Sequence, residues 1–435
     1  MQINQSVDSP RSQSLLNANQ RQKMLDRVSS IVSKRFYDTH LAGVDWPTTV
    51  AKHRERIVNA SSDEEFEVSM LALLAELHRS HVGFFHESLS RSSSKMALCA
   101  TYSASETADG VHWTFQDVHA GGPAALAGIR PGDVLLAVDG RSFSPPEHPL
   151  FAVESTARIK VLTTGLREET KEVVIPAPKR MRGQLPQVIP TSLVSYKRLR
   201  HDIGYVRIAM YPGRIGVEIA NEISLAVQNL GDVSRLILDL RGNTGGGIGV
   251  LRAMSLLTPS RLPIGRYAGG GMTPVNGAKG YHFVFDRIPA EKRGLIPLVV
   301  KAQGVMAFRK ALGLSTPILI RTEGLSAMPF HGRIVILVDR HTASANEMLV
   351  AFAREHQLAT IVGEATPGRV LGGNKFALSN GYWLALPVGS YQTKNGDTIE
   401  GQQIAPDVLA PFEPEQARAG KDTQLDRAIE VVSTL

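Results

Sequence analysis

A chain of 435 residues with 43% hydrophobic and 20% charged side chains is too long for one compact core, so two or three globular domains are expected. Its 48 basic and 41 acidic residues leave a formal charge of +7, spread without a run of five or six like charges, which argues against a nucleic-acid-binding footprint. One cysteine, Cys99, excludes an internal disulfide framework; in Met96-Ala97-Leu98-Cys99-Ala100 it reads as a small buried hydrophobe and not as a reactive thiol.

Met1-Gln2-Ile3-Asn4-Gln5-Ser6 is polar and lacks the apolar segment of a secretory signal, and no stretch of eighteen uncharged apolar residues occurs. A cytoplasmic chain without a membrane span is expected, with export left open if the sequence has been trimmed. Residues up to about Asn19 read as polar and frayed. Leu25, Val28, Val32 and Phe36 recur at helical spacing and predict a first amphipathic helix. Ser62 with Glu65 predicts a capping box opening a second helix, whose apolar stripe is Phe66, Met70, Leu73, Leu74 and Leu77 and which ends near Arg79. Ser80-His81-Val82-Gly83-Phe84-Phe85 follows as loop into strand, and the serine-rich stretch 88–94 reads as a linker.

From about Ala97 to Pro178 the pattern changes to short strands and turns. Gly121-Gly122-Pro123-Ala124-Ala125-Leu126-Ala127-Gly128 reads as a short helix closed by glycine, then comes a Pro131-Gly132-Asp133 turn, then Val134-Leu135-Leu136-Ala137-Val138 as a strand running into Asp139-Gly140. This segment resembles PDZ domains, which implies a groove able to capture a peptide by its C-terminal end. The loop that binds the carboxylate in that family usually bears glycine, whereas residues 95–106 contain none.

Residues 178–190 read as a basic, proline-containing linker. Beyond it, apolar strand candidates (Ile203 to Ile208, Leu236 to Leu240, Ile334 to Val338, Ala359 to Val362) alternate with helical patterns (Val217 to Leu230, Gly249 to Leu257, Ala345 to His356), which argues for α/β architecture. Three parts are expected: an N-terminal helical domain over 1–95, a PDZ-like domain over 96–178 and a core domain over 179–435.

Two segments of that core could carry chemistry. Leu238-Asp239-Leu240-Arg241-Gly242-Asn243-Thr244-Gly245-Gly246-Gly247 is a strand entering a glycine-rich loop; it fits neither a dinucleotide fingerprint nor a P-loop, and it leaves backbone donation to an oxyanion open. Val338-Asp339-Arg340-His341-Thr342-Ala343-Ser344-Ala345-Asn346-Glu347 places Ser344 at a helix start, where free N–H groups and the helix dipole favour developing negative charge. Spacing alone favours a plain N-cap serine there. A nucleophilic serine needs a base and an orienting carboxylate, and residue spacing does not choose among 13 histidines. No His-x-x-x-His or Cys pair has metal-ligand spacing, and neither a metal nor another cofactor is expected.

Taken in order, Asp239-Leu240-Arg241-Gly242-Asn243 with its glycines, Thr342-Ala343-Ser344-Ala345-Asn346-Glu347, Val362-Gly363-Glu364-Ala365-Thr366-Pro367-Gly368 and Ile399-Glu400-Gly401 with Ile404-Ala405-Pro406-Asp407 resemble the tail-specific, or carboxyl-terminal processing, serine peptidases. The resemblance covers the chain from about residue 25 onward. It implies a crotonase-like β-β-α superhelix core with an inserted PDZ-like domain and an N-terminal helical segment. It also implies Ser344 as nucleophile and an oxyanion hole from the Ala345 N–H with Gly245 or Gly246. Many members use a lysine base 25 residues after the serine; that position is Arg369, and a guanidinium cannot accept the proton.

The tricorn-core branch looks like a Ser-His-Glu machine instead, with the histidine in a Ser-His pair after a helix. Glu76-Leu77-His78-Arg79-Ser80-His81 matches that pattern. The resemblance then implies His81 as base, Glu400 as the carboxylate that stabilises its imidazolium, and Ser80 as a further member of the site. Arg369 would pair with Glu355 or with a substrate carboxylate. The function implied is hydrolysis of polypeptides, at or near C-terminal tails, through an acyl-enzyme, with a peptide ligand at the PDZ-like domain and homo-oligomerisation left open. The alternatives are an inactive peptidase fold turned binding module for peptide or apolar ligand, as the retinoid-binding repeats of photoreceptor matrix look to be, and an esterase or amidase of small molecules.

Overall fold

The structure is a computed structural model and describes residues 16–435 apart from 89–90, 108–109, 180–185, 212–216, 248, 270–282, 290, 295, 298–299, 302–303, 305–316 and 326–329. Most of the N-terminal stretch expected to be frayed, and parts of the two expected linkers, therefore lie outside the described residues. Leu16, inside that stretch, is buried, and the first helix starts at the next turn.

Three helices open the chain: α1 (Ala18–Arg35), α2 (Trp46–Val58) and α3 (Asp63–Ala75). Each has a side-chain cap, from Asn17, Asp45 and Ser62. At α3 the predicted box is only half formed. Ser62 Oγ accepts from the Glu65 N–H at 3.1 Å, while the Glu65 carboxylate turns to the N–H and hydroxyl of Ser61, both at 2.7 Å. The helix stops at Ala75, four residues before the expected end, and Leu77 is buried from the turn beyond it. The three helices share one core with strand β1 (Gly83–His86) and with Tyr382, Leu384 and Leu386 of a strand near the other end of the chain. Fully burying each of Phe66, Met70 and Leu73 there contributes on the order of 1.5–3 kcal/mol.

The PDZ-like part follows. The serine tract is not a linker throughout: β2 (Arg91–Ser93) pairs with β7 (Leu150–Ala152), and α4 (Ser94–Ala97) begins at Ser94, whose hydroxyl donates to Ala100 O at 2.7 Å. Buried Ser92 and Ser94 find partners that composition alone does not foresee. A sheet in the order β3 (Ala100–Thr107), β4 (Gly110–Val118), β5 (Val134–Val138), β8 (Ser155–Leu162), β9 (Glu168–Ile175) carries β6 (Arg141–Ser142) beside β5. The short helix α5 (Pro123–Leu126) lies on it, and Asp139 and Gly140 both take positive φ, as a two-residue β5–β6 turn requires. Cys99 is buried in this core, and burial raises its thiol pKa to about 11.

The remainder is mixed α/β. One sheet runs β10 (Val194–Arg198), β11 (Ile203–Ile208), β12 (Arg235–Asp239), β16 (Arg333–Val338), β17 (Thr360–Gly363), β20 (Val408–Leu409). From β11 to β20 every pairing is parallel, and β11, β12, β16 and β17 read as apolar runs because both of their faces are covered. Helices α6 (Val217–Asn229), α7 (Val250–Ser255) and α8 (Ala345–Glu355) cover one face, and α10 (Thr423–Thr434), after the short α9 (Pro414–Arg418), packs on the other. A second sheet holds β13 (Pro263–Gly269), β14 (Phe283–Phe285), β15 (Ile318–Arg321), β18 (Leu371–Ala377) and β19 (Tyr382–Thr393), and β1 joins it alongside β19. No helix among the described residues is long and apolar enough to cross a membrane.

Candidate active site

Neighbouring parallel strands β12 and β16 end at the same edge of their sheet, so the loops that leave them emerge side by side. This carboxyl edge is where open α/β sheets place ligands. The loop after β16 is built on the buried carboxylate of Asp339, which accepts from the His341 N–H and, across the gap, from the Gly242 N–H, each at 3.0 Å. Desolvation raises the Asp339 pKa, the nearby His341 opposing it.

Ser344 then stands at φ 58° and ψ −117°, a sparsely populated region for a residue with a side chain, at a cost of about 1–3 kcal/mol. Three ties hold it there. Its N–H donates to Glu347 Oε2 at 3.0 Å, the Ala343 N–H donates to Asn243 O at 3.2 Å, and Asn346 Nδ2 donates to that same carbonyl at 2.8 Å. The sequence alone gives Glu347 no role beyond its place in the Thr342–Glu347 motif. Its fully buried carboxylate also accepts from Thr366 Oγ1, Gly368 N–H and Arg369 N–H at 2.7, 2.6 and 2.8 Å, and so fastens the 366–369 loop to the serine turn. The Ser-x-x-Glu spacing of a capping box was the signal that could have found it.

Ala345 opens α8, so its N–H has no intrahelical acceptor. Gly245 packs directly beneath it: a Cβ there would lie 2.8 Å from Ser344 Cβ and 2.9 Å from Ala345 N. The Gly245 N–H donates to Asn243 Oδ1 at 3.0 Å and is thereby engaged within its loop. Gly246, bridged to Tyr211 just beyond the end of β11, lines the same cleft as Ser344 and Ala345.

The second half of the site arrives from the turn after α3. His81, at φ 61°, points Nε2 to within 3.4 Å of Ser344 Oγ. Its Nδ1 lies 2.7 Å from Ser80 Oγ, which donates to Glu400 Oε2 at 2.8 Å; Glu400 also accepts from the Ser80 N–H at 2.8 Å and the Val370 N–H at 2.9 Å. The Ser80 hydroxyl thus stands between imidazole and carboxylate. Since that hydroxyl spends its proton on Glu400, it accepts from Nδ1–H, and the lone pair of His81 faces Ser344. Burial is the main cause lowering the His81 pKa from 6.5; Glu400 opposes it and Arg369 adds to it.

Arg369 is exposed and does not pair with Glu355. Glu347 holds its backbone beside Ser344 at the start of α8, while Glu355 closes that helix about 16 Å along its axis, near Tyr391. Arg369, Arg340 and Arg79 instead line a cleft of about 780 Å³ on one side of Ser344, with Glu400 and His78. On the other side lies a cleft of about 820 Å³ whose walls are largely apolar, among them Met210, Tyr267, Ile320, Met348 and Leu371. Among the described residues no group of His, Cys, Asp and Glu is placed to hold a metal ion.

Comparison with known proteins covers the segments that hold Ser344 and Glu400, while Ser80 and His81 fall outside the three family matches. The model of peptidase family S41 matches residues 202–410, that of the PDZ domain 114–163, and that of the tricorn protease C1 domain 17–74. The chain is similar to the C-terminal processing peptidase, chloroplastic, of Tetradesmus obliquus, 27% identical over 311 residues, covering 66% of this chain and 54% of that protein. It is also similar to tricorn protease homolog 1 of Streptomyces coelicolor, 21% identical over 424 residues, covering 94% of this chain and 34% of that one. The solved photosystem II D1 C-terminal processing protease shares the fold, with a TM-score of 0.54 at 19% identity over 95% of this chain and 97% of that one. The chain spans about half the length of the curated processing peptidases it matches.

Proposed function

We infer, from a chain that carries a peptidase family S41 domain, a PDZ domain and a tricorn protease C1 domain, that the protein is a serine peptidase that cleaves polypeptides, at or near their C-terminal tails, through an acyl-enzyme. The carrying observation is the continuous order Ser344 Oγ, His81 Nε2, His81 Nδ1, Ser80 Oγ, Glu400 Oε2, assembled from segments 263 and 320 residues apart. In this reading His81 takes the Ser344 proton as Oγ attacks the peptide carbonyl, and the imidazolium is stabilised through Ser80 by Glu400. The Ala345 and Gly246 N–H groups receive the oxyanion; Gly245 shapes the hole from beneath. The imidazolium then protonates the leaving amine, and water, deprotonated by the same ring, releases the acyl group.

We further divide the chain into 1–95, 96–178 and 179–435, and assign to the last a crotonase-like β-β-α superhelix; the β10–β11 hairpin followed by α6 supports it. At the PDZ-like part we place a peptide contact on the free edge of β3 beyond Ser103, because the carbonyls of Ala100 and Tyr102 already accept from Ser94 Oγ and His341 Nε2.

The test is covalent: a fluorophosphonate probe should label the purified chain at Ser344, located by peptide mass, and unstructured casein should be cut. An unlabelled chain that leaves casein whole over a range of pH overturns the reading.

The base must be neutral, so kcat/KM falls as pH drops through the His81 pKa, and the acid limb should lie below 6.5. Arg369→Gln removes a cation that lowers that pKa, so the limb should move upward. A pH profile with its acid limb above 6.5 in the wild type, or unmoved by the substitution, contradicts this assignment.

A further inference from the structure

Behind the serine turn, the PDZ-like part meets the glycine-rich loop through ionisable side chains that acyl transfer leaves unused. Lys95 stands on α4; its ammonium donates to the carbonyl of Gly242 and lies 2.6 Å from His119 Nε2. Asp117 of β4 pairs with Arg207 of β11 and sits 3.3 Å from His119. Its Oδ2 covers Gly242 so closely that a Cβ there would overlap it, which is why that position needs glycine, here at φ 69°. Asp117 and His119 are 6% and 1% exposed. Burial pushes the His119 pKa down to about 3, so the ring is a neutral acceptor for Lys95. Burial also lowers the Lys95 pKa, and Asp117 opposes that shift.

Gly242 is therefore gripped from both sides. Its N–H goes to Asp339, at the base of the serine loop, and its carbonyl goes to Lys95, from the other part of the chain. The next residues set the oxyanion donors. Asn243 Nδ2 donates to Ile208 O at 3.0 Å, Asn243 Oδ1 receives the Gly245 N–H, and Asn243 O receives Ala343 and Asn346. A rotation of the 242–243 peptide would tilt this whole set against Ser344.

We propose that Lys95 is a positioning residue: its ammonium, braced by Asp117 and His119, fixes the Gly242 carbonyl and through it the oxyanion loop, so that acylation at Ser344 depends on a side chain of α4, the helix at the boundary with the PDZ-like part, that touches no substrate. The proposal rests on the serine-peptidase reading.

The test uses the full chain and the second-order rate constant for fluorophosphonate labelling, scaled to the fraction of molecules that finally label, beside kcat and KM for an unstructured peptide. Lys95→Met should slow labelling and kcat by about 10²-fold with KM changed by less than about threefold, and Lys95→Arg, which keeps a cationic donor, should restore most of the rate. A merely structural lysine would lower the melting temperature and the labelled fraction while each folded site reacted at the wild-type rate. That result overturns the proposal, as does a Lys95→Arg variant no faster than Lys95→Met. If methionine costs the fold, Lys95→Gln is read by the same rate constant. A wild type that takes no label removes the peptidase reading and this inference with it; a labelled wild type with an equally reactive Lys95→Met removes this inference alone.

Discussion

His81→Ala is expected to lower kcat by on the order of 10⁶-fold, and Ser80→Ala by between about 10² and 10⁴-fold. The two losses differ because the roles differ. Without the imidazole, no group among the described residues within reach of Ser344 Oγ can take its proton: Arg369 is a permanent cation, and Glu400 is separated from the serine by Ser80 and His81. Without the Ser80 hydroxyl the base survives, but Nδ1–H loses its acceptor at 2.7 Å and with it the preference for the tautomer whose Nε2 lone pair faces Ser344. Glu400 would keep its bond from Val370 N–H, so the carboxylate stays in place to be reached through water. Both variants should keep KM near the wild-type value, since neither side chain is asked to hold the substrate before attack. The measurement is kcat and KM for an unstructured peptide, normalised to folded protein. An His81→Ala enzyme within tenfold of wild type would end the assignment of the base, and Ser80→Ala as damaging as His81→Ala would make the hydroxyl part of the reacting group itself.

What could be read in the residues follows from where the forces act. The strands β11, β12, β16 and β17 are apolar runs because both of their faces are buried, and their ends fell within a residue or so of the sequence reading. Ser344 at a helix start was legible for the same local reason. The second sheet was not: β19 alternates buried and half-buried positions around Pro387 and Gly389 and looks like neither a clean strand nor a helix until β1, β13 and β18 flank it. α2 escaped because only Trp46, Val50 and Ile57 of its thirteen residues are buried, too thin a stripe to show as periodicity. The site shows the limit most plainly. Ser80 and Glu400 meet across 320 residues, and Glu347 ties a loop some twenty residues downstream; no local pattern carries such pairings, and resemblance named Ser80 and Glu400 as site members while both contacts surfaced only in three dimensions.

Gly245→Ala should lower kcat by about 10³-fold while the chain still folds. The methyl group would lie 2.6 Å from Ala343 O, 2.8 Å from Ser344 Cβ and 2.9 Å from Ala345 N, closer than such atoms approach, and all three belong to the turn that aims Ser344 Oγ. None is the free end of a flexible side chain, so relief must come from moving backbone. Ser344 is already in a strained conformation held by Glu347 and Asn243, and the adjoining Ala345 N–H is the donor proposed for the oxyanion, so any yielding would shift the attacking oxygen and the hole proposed to receive its product. Gly245 also sits at φ 87°, where an alanine costs about 1 kcal/mol or more in backbone strain alone. Gly165→Ala separates the two effects: that glycine has φ 76° with nothing within 4 Å of its would-be Cβ, in the turn between β8 and β9. It should lose comparable backbone stability and keep the wild-type rate per folded molecule. Melting temperatures together with the labelling rate at Ser344 decide the matter. A Gly245→Ala chain that labels at the wild-type rate would mean that the glycine serves packing only, and that the oxyanion is held elsewhere.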